Sequence, residues 1–222
     1  MKDELVIQNK PKSNISEDIR TIRTNLMFTS SDEESKVILV TSSIPGEGKS
    51  FISSNLATAF AQTGESTLLI DSDLRLGRIH KVFGISNTKG LSNLLVGQNV
   101  VDCAEYIKKT NIPNLYIIPR GTVPPNPSEL LNSTNTKKII NFLRENFDRI
   151  IFDGVPINGL PDSLIMASLV DRVVLITSCG YTKIDELMEA KKALEKIDAN
   201  VAGVVVNRAS GTKRGKYSNY YE

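Results

Sequence analysis

The apolar positions of the chain change period several times, and each change marks an element. The first regular pattern puts Ile15, Ile19, Ile22 and Leu26 on one narrow stripe at helical spacing, opened by Asn14 and Glu17 at capping-box distance. After polar residues 30–35 comes Val37-Ile38-Leu39-Val40, a short unbroken apolar run of the kind a buried parallel strand presents. Strand patterns are predicted over Val37–Thr41, Thr67–Asp71, Leu115–Ile118, Arg149–Asp153, Arg172–Thr177 and Ala202–Val206. Helical patterns fill the intervals, clearest over Phe51–Gln62, Ser128–Asn146 and Lys183–Ile197. This alternation predicts an α/β fold: a doubly wound, mainly parallel sheet with helices on both faces and its ligand site at the carboxyl ends of the strands. One domain over residues 13–208 is expected. A flexible segment, 1–12, precedes it and a flexible tail, 209–222, follows it; residues 84–127 read as short helices and loops over one edge.

Composition narrows the function classes. A chain of 222 residues, 40% hydrophobic and 23% charged, is long enough for one sizeable core. The net charge of +2 carries no bulk electrostatic case for nucleic acid. A single histidine, His80, excludes histidine dyads and histidine-rich metal sites. Cys103 and Cys179 lack metal-ligand spacing and read as reduced thiols. With no signal peptide and no apolar run near the roughly 18 residues of a membrane span, a cytoplasmic protein is expected, reaching a membrane only through a partner. Tyrosine is scarce, yet three of the six tyrosines crowd into the tail at Tyr217, Tyr220 and Tyr221.

The chemistry begins after the first strand, at Ser43-Ile44-Pro45-Gly46-Glu47-Gly48-Lys49-Ser50. Small residues let backbone N–H groups turn inward around phosphate oxygens, and Pro45, Gly46, Glu47, Gly48 and Phe51 complete the expected cradle. Lys49 would reach the β- and γ-phosphates and the Ser50 hydroxyl would bind Mg²⁺. The strict phosphate-loop pattern opens with glycine where this chain has Ser43. Two more strand ends add acids: Leu68-Leu69-Ile70 runs into Asp71-Ser72-Asp73, and Ile150-Ile151-Phe152 into Asp153. In a parallel sheet all three carboxylates emerge near the phosphate loop. There Asp71 and Asp153 would serve the metal, and one acid would take a proton from an attacking hydroxyl.

These motifs resemble the bacterial P-loop protein-tyrosine kinases that control capsule and exopolysaccharide synthesis. The resemblance runs from about Pro11 through Glu17-x-x-Arg20-x-x-Arg23, the loop IPGEGKS at 44–50, LLIDSDLR at 68–75, GTVPPNPSELL at 121–131, IIFDGVP at 150–156 and the terminal tyrosines. It implies ATP and Mg²⁺ as cofactors, Lys49 as the phosphate lysine, Asp71 as candidate base and Asp73 and Asp153 as further catalytic acids. It also implies that Glu17, Arg20 and Arg23 join subunits into a ring, an octamer in this family. A membrane activator of the polysaccharide co-polymerase type and an opposing protein-tyrosine phosphatase are the other implied partners. The chain departs from the family at Gly77, where proline is usual, and at Gly154-Val155, where Thr-Pro is usual. A looser backbone is expected there. The runner-up reading is an ATPase switch of the partitioning and cell-division group. That group carries a signature lysine where Ile44 stands.

Tyr217, Tyr220 and Tyr221 share the tail with Lys213, Arg214 and Lys216, so docking in an acidic mouth of a neighbouring subunit is expected. Phosphorylation, at about −1.5 to −2 charge per site, would then reverse the tail's sign and expel it. Asn207 and Arg208 follow the last strand, where an amide would read the adenine edge and a guanidinium stack on the base. Arg75 and Arg78 are placed to touch phosphate or to organise subunit contacts.

Overall fold

A computed structural model describes residues 4–28, 35–97 and 103–209; the tyrosine cluster lies outside the described residues. Among the described residues seven strands form one sheet in the order β3-β4-β2-β5-β1-β6-β7. They are β1 (Val37–Ser42), β2 (Thr67–Asp71), β3 (Lys108–Lys109), β4 (Leu115–Ile118), β5 (Arg149–Pro156), β6 (Arg172–Ser178) and β7 (Val201–Asn207). All neighbouring pairs are parallel except β3 with β4. The two-residue β3 is the one strand the pattern does not predict; Lys108-Lys109 has no apolar signal and pairs only because β4 offers a free edge.

Alternation along the strands sorts the core into two layers. Ile38, Val40, Leu69 and Ile151 face α3 (Lys49–Ala61), while Val37, Leu39, Leu68, Ile70, Ile150 and Phe152 face the opposite layer. That second layer includes α5 (Leu91–Val96), α8 (Thr134–Asn146), α9 (Asp162–Ala167) and α10 (Ile184–Glu195). The same parity turns Asp71 and Asp153, two residues beyond Leu69 and Ile151, toward α3, in register with each other across β2 and β5.

Three expectations change. The segment expected to be flexible over 1–12 is ordered in its described part: α1 (Val6–Asn9) seats Ile7 fully buried in the α3 layer, with Asn55 accepting the Ile7 N–H at 3.1 Å. Burial of a large aliphatic side chain outweighs the polar surroundings that suggested mobility. Next, α2 (Asn14–Phe28) is capped one residue earlier than predicted, since Ser13 Oγ accepts the Ser16 N–H at 3.2 Å. On its stripe Ile19 is buried, whereas Ile15 is 48% exposed. Finally, the single helix expected over Ser128–Asn146 is two: α7 (Pro127–Leu131) and α8, divided where Ser133 caps α8 by accepting the Thr136 N–H at 3.3 Å. The remaining helices, α4 (Ile79–Phe83) and α6 (Cys103–Tyr106), are short, as expected for residues 84–127 in the case of α6.

Candidate active site

At the carboxyl edge of the sheet a cavity of about 860 Å³ opens over the loop between β1 and α3. Pro45, Gly46, Gly48, Lys49, Ser50, Phe51, Asp73, Asn207 and Arg208 all line it. Two glycines of the loop have left-handed backbones, Gly46 at φ 83° and Gly48 at φ 97°, a conformation that costs an L-residue energy and glycine little. Gly48 precedes α3 without a side-chain cap, so the N–H groups of the helix start are free of any capping side chain. An anion there meets converging donors and the positive end of the helix.

The loop is held from behind. Glu47 is expected in the phosphate cradle, but its side chain is fully buried and turned away from the cavity. Its Oε2 accepts the Ile44 N–H at 2.8 Å and its Oε1 accepts the Thr182 hydroxyl. Only its backbone can face a phosphate, because the loop needs an internal acceptor to hold its turn. Asn207 Nδ2 donates to the Glu47 carbonyl at 2.8 Å, and a Cβ at Gly48 would stand 2.2 Å from that nitrogen. Arg208 donates to the Gly46 carbonyl at 2.9 Å and lies over the Tyr181 ring, whose hydroxyl donates to the Pro45 carbonyl at 3.3 Å. Asn207 and Arg208, expected to address adenine, thus brace the phosphate loop while still bordering the cavity.

Beneath the loop lies an acid–base cluster. Asp153 is buried at the end of β5 and accepts from Ser50 Oγ at 2.7 Å and from Ser53 Oγ at 3.0 Å. Burial raises its pKa to about 6, against the opposing pull of Ser50, Lys49 and Ser53. Asp71 is fully buried; its Oδ2 accepts the Ile79 N–H at 3.1 Å and its Oδ1 has no partner among the described residues. Burial, then the neighbouring Asp153 charge, pushes its pKa well above the usual carboxylate range. Lys49 is shifted down by burial, with Asp153, Asp73 and Glu47 pulling it back. Asp73, unlike the other two acids, lines the cavity; its Oδ1 accepts the Arg75 and Leu76 N–H groups at 3.1 and 2.8 Å.

These donors fit a divalent cation. Mg²⁺ is commonly held by one or two protein oxygens together with phosphates and water. Ser50 and Asp153 already touch, and the orphaned Asp71 Oδ1 is a buried acceptor awaiting a partner. Among the described residues no three His, Cys, Asp or Glu side chains form a cage, which a site completed by phosphates does not require.

Other expected positions fall elsewhere. Glu17 and Arg20 form an exposed ion pair on α2, and Arg23 donates to the Ala59 carbonyl at 2.9 Å within its own chain. Arg78 pairs with Glu4 at 2.7 Å, and Arg75 forks onto buried Asp162 at 2.9 and 3.2 Å, with Ser128 also bound to that carboxylate at 2.7 Å. The cavity mouth is not acidic: Lys49, Arg75, Arg78 and Arg208 face Glu4 and Asp73, four bases against two acids. Nor is the backbone loose at the two glycine departures. A Cβ at Gly77 would stand 2.2 Å from Asp71 Oδ1, and Gly154 lies inside β5 with Ser163 Oγ 2.7 Å from where its Cβ would be. Both glycines permit close approach. Sequence reasoning missed Ser53, Thr182, Tyr181 and Asp162. Ser53 was legible as the residue one turn after Ser50 on the same helix; the other three carry no local signal.

Comparison with known proteins agrees with this geometry. The AAA domain family matches residues 35–203. The tyrosine-protein kinase YwqD of Bacillus subtilis (strain 168) is 38% identical over 99% of this chain and 91% of its own. The tyrosine-protein kinase CpsD of Streptococcus agalactiae is 40% identical over 90% and 86%. Among solved structures, the chimerical protein CapA2B2 superimposes with a TM-score of 0.88 at 36% identity, covering 92% of this chain and 89% of that one. The kinase domain of the Escherichia coli tyrosine kinase ETK gives 0.86 at 31% identity, covering 93% and 82%. The septum site-determining protein MinD of Pyrococcus horikoshii, at 22% identity and a TM-score of 0.67, shares the fold alone. With its phosphate loop, its three acids and relatives matched over nearly their whole length, the chain belongs to the bacterial tyrosine-protein kinases of the P-loop type.

Proposed function

We propose that this chain is an ATP-dependent protein-tyrosine kinase that phosphorylates its own terminal tyrosines between subunits and regulates capsular or extracellular polysaccharide synthesis. The observation that carries this reading is the convergence of Lys49, Ser50 and Asp73 on one cavity of about 860 Å³, with Asp153 buried against the Ser50 hydroxyl at 2.7 Å. The phosphate loop binds the β- and γ-phosphates, and Lys49 draws charge off the transferred group. Ser50, Asp153 and Asp71 would hold Mg²⁺, which would supply charge neutralisation on the phosphates. A tyrosyl oxygen attacks the γ-phosphorus, the bond to the β-phosphate oxygen breaks, ADP leaves and the phenolic proton passes to a carboxylate. Asp71 is the proposed acceptor of that proton. Asp73, on the cavity wall, orients the incoming hydroxyl.

The proposed acceptors are Tyr217, Tyr220 and Tyr221 of a neighbouring subunit in a ring joined through Glu17, Arg20 and Arg23. Among the described residues no helix is long and apolar enough to cross a membrane, and a solved structure that superimposes at a TM-score of 0.88 is of a chimerical protein, CapA2B2. On this reading the kinase is cytoplasmic, an activator brings it to the inner face of the membrane, and a phosphatase resets it.

Incubation with labelled ATP and Mg²⁺, with and without the activator's cytosolic segment, tests the reading. Phosphotyrosine on the tail is expected; release of free phosphate alone would instead make the chain an ATPase switch. Mixing a Lys49→Met chain with an active chain lacking residues 209–222 tests transfer between subunits. The Lys49→Met chain must then gain phosphotyrosine.

A further inference from the structure

Leu76 is 82% exposed and borders the active-site cavity. An exposed leucine alone needs no explanation, but this one sits on a turn whose backbone is braced. Its N–H and that of Arg75 both donate to Asp73 Oδ1, and the Gly77 N–H donates to the Asp73 carbonyl at 2.9 Å. The Arg75 guanidinium is locked on Asp162, and Arg120 donates to the Arg75 carbonyl at 2.6 Å. A single turn therefore presents an apolar side chain to solvent and, three residues earlier, the one acid of the cluster that reaches the cavity wall. Asp73 Oδ2 carries no hydrogen bond among the described residues. Leu160 and Pro156 line the same cavity.

The turn follows β2, on the side of the phosphate loop away from β7, where Asn207 and Arg208 stand. It therefore borders the end of the site where Asp73 acts on the Lys49 charge. A ligand entering there must place a hydroxyl near Asp73 and lay an apolar body on Leu76. A phenol ring does both, whereas a seryl or threonyl side chain has no body to reach the leucine.

We propose that Leu76 is a specificity-determining lip that packs against the ring of the acceptor tyrosine while Asp73, on the same turn, meets its hydroxyl. The proposal rests on the kinase reading and names the contact by which that site selects tyrosine. Because the backbone of the turn is braced before the acceptor arrives, the loop itself needs little ordering on contact. The contact exists before and during transfer alike, so it acts on acceptor affinity rather than on turnover.

The test uses the full chain with Tyr217, Tyr220 and Tyr221 changed to Phe, saturating Mg·ATP and a synthetic acceptor peptide of residues 212–222. Leu76→Ala should raise the peptide KM about fivefold to tenfold, with kcat and nucleotide affinity unchanged. Leu76→Met should stay within about twofold, since it conserves apolar volume. An unchanged peptide KM in Leu76→Ala overturns the proposal. So does a parallel loss of nucleotide affinity, which assigns the leucine to ATP, or a changed native mass, which assigns it to a contact between copies. The kinase reading is checked separately: if the leucine-bearing chain itself makes no phosphotyrosine on the peptide, both fall; if it does, only the lip is at stake.

Discussion

Burial of Asp153 at the end of β5 sets a pH dependence. Its pKa in the folded chain, about 6, lies above the roughly 3.9 of an unfolded aspartate. The stability it contributes is therefore full below about pH 4 and lost as the pH rises through 6. The loss is on the order of 2–3 kcal/mol in protein free of metal and nucleotide. Asp153→Asn removes the ionisation; its Oδ1 still accepts from one serine hydroxyl while its Nδ2 donates to the oxygen of the other. Melted in EDTA, the variant should gain on the unaltered chain between pH 4.5 and pH 7.5; an advantage independent of pH would contradict the burial argument. Thr182 offers a second residue-scale test, because its hydroxyl meets one oxygen of the buried Glu47 carboxylate. Thr182→Val leaves that oxygen short of a partner and should weaken ATP binding about tenfold by calorimetry, roughly 1.4 kcal/mol. Thr182→Ser should restore it.

Among elements, α1 is one that local pattern misjudged. Four residues are too few to hold a helix by propensity, and Val6-Ile7 is too short a run to show a period. Tertiary contact decides: Ile7 enters the α3 layer, and Asn55 receives its N–H while donating to the Glu4 carbonyl at 2.8 Å. Ile7→Ala should therefore cost about 2–4 kcal/mol in chemical denaturation. A change under about 0.5 kcal/mol would mark the segment as loosely attached after all. The break between α7 and α8 was written in Asn132-Ser133, a good cap following Leu131, but the periodic apolar residues on either side masked it. Elements with long runs and clear periods, such as β1, β2, β4 and α3, lie within two residues of expectation at each end, because there pattern and packing agree.

At the scale of the whole molecule, the surface that would join subunits is partly engaged at home. Arg23 is tied to the carboxyl end of α3, whereas among the described residues Arg20 meets only Glu17 at an exposed site, a pair of the kind that adds little to stability. Arg20 is thus the cleaner probe of assembly. Arg20→Glu should lower the native mass while the melting temperature stays within a few degrees. Transfer between subunits should fall with the assembly. A ring that survives the charge reversal, seen by native mass spectrometry, would remove α2 from the interface.

The amino-acid sequence by itself determined the alternating α/β layout and the phosphate loop. It also brought Lys49, Ser50 and the strand-end acids to one edge of the sheet. These follow from local periods and from the rule that parallel strands share a carboxyl edge, so no long-range contact is needed to read them. Only the tertiary structure decided that Glu47 braces the loop instead of facing the ligand and that Asp73 reaches the cavity while Asp71 and Asp153 lie beneath it. The same holds for Gly77, which packs on Asp71, and for the mouth, which is basic. Each depends on partners 80 or more residues away or on a fraction of a turn in a loop. Burial and hydrogen-bond satisfaction set such details, and no local pattern along the chain records them.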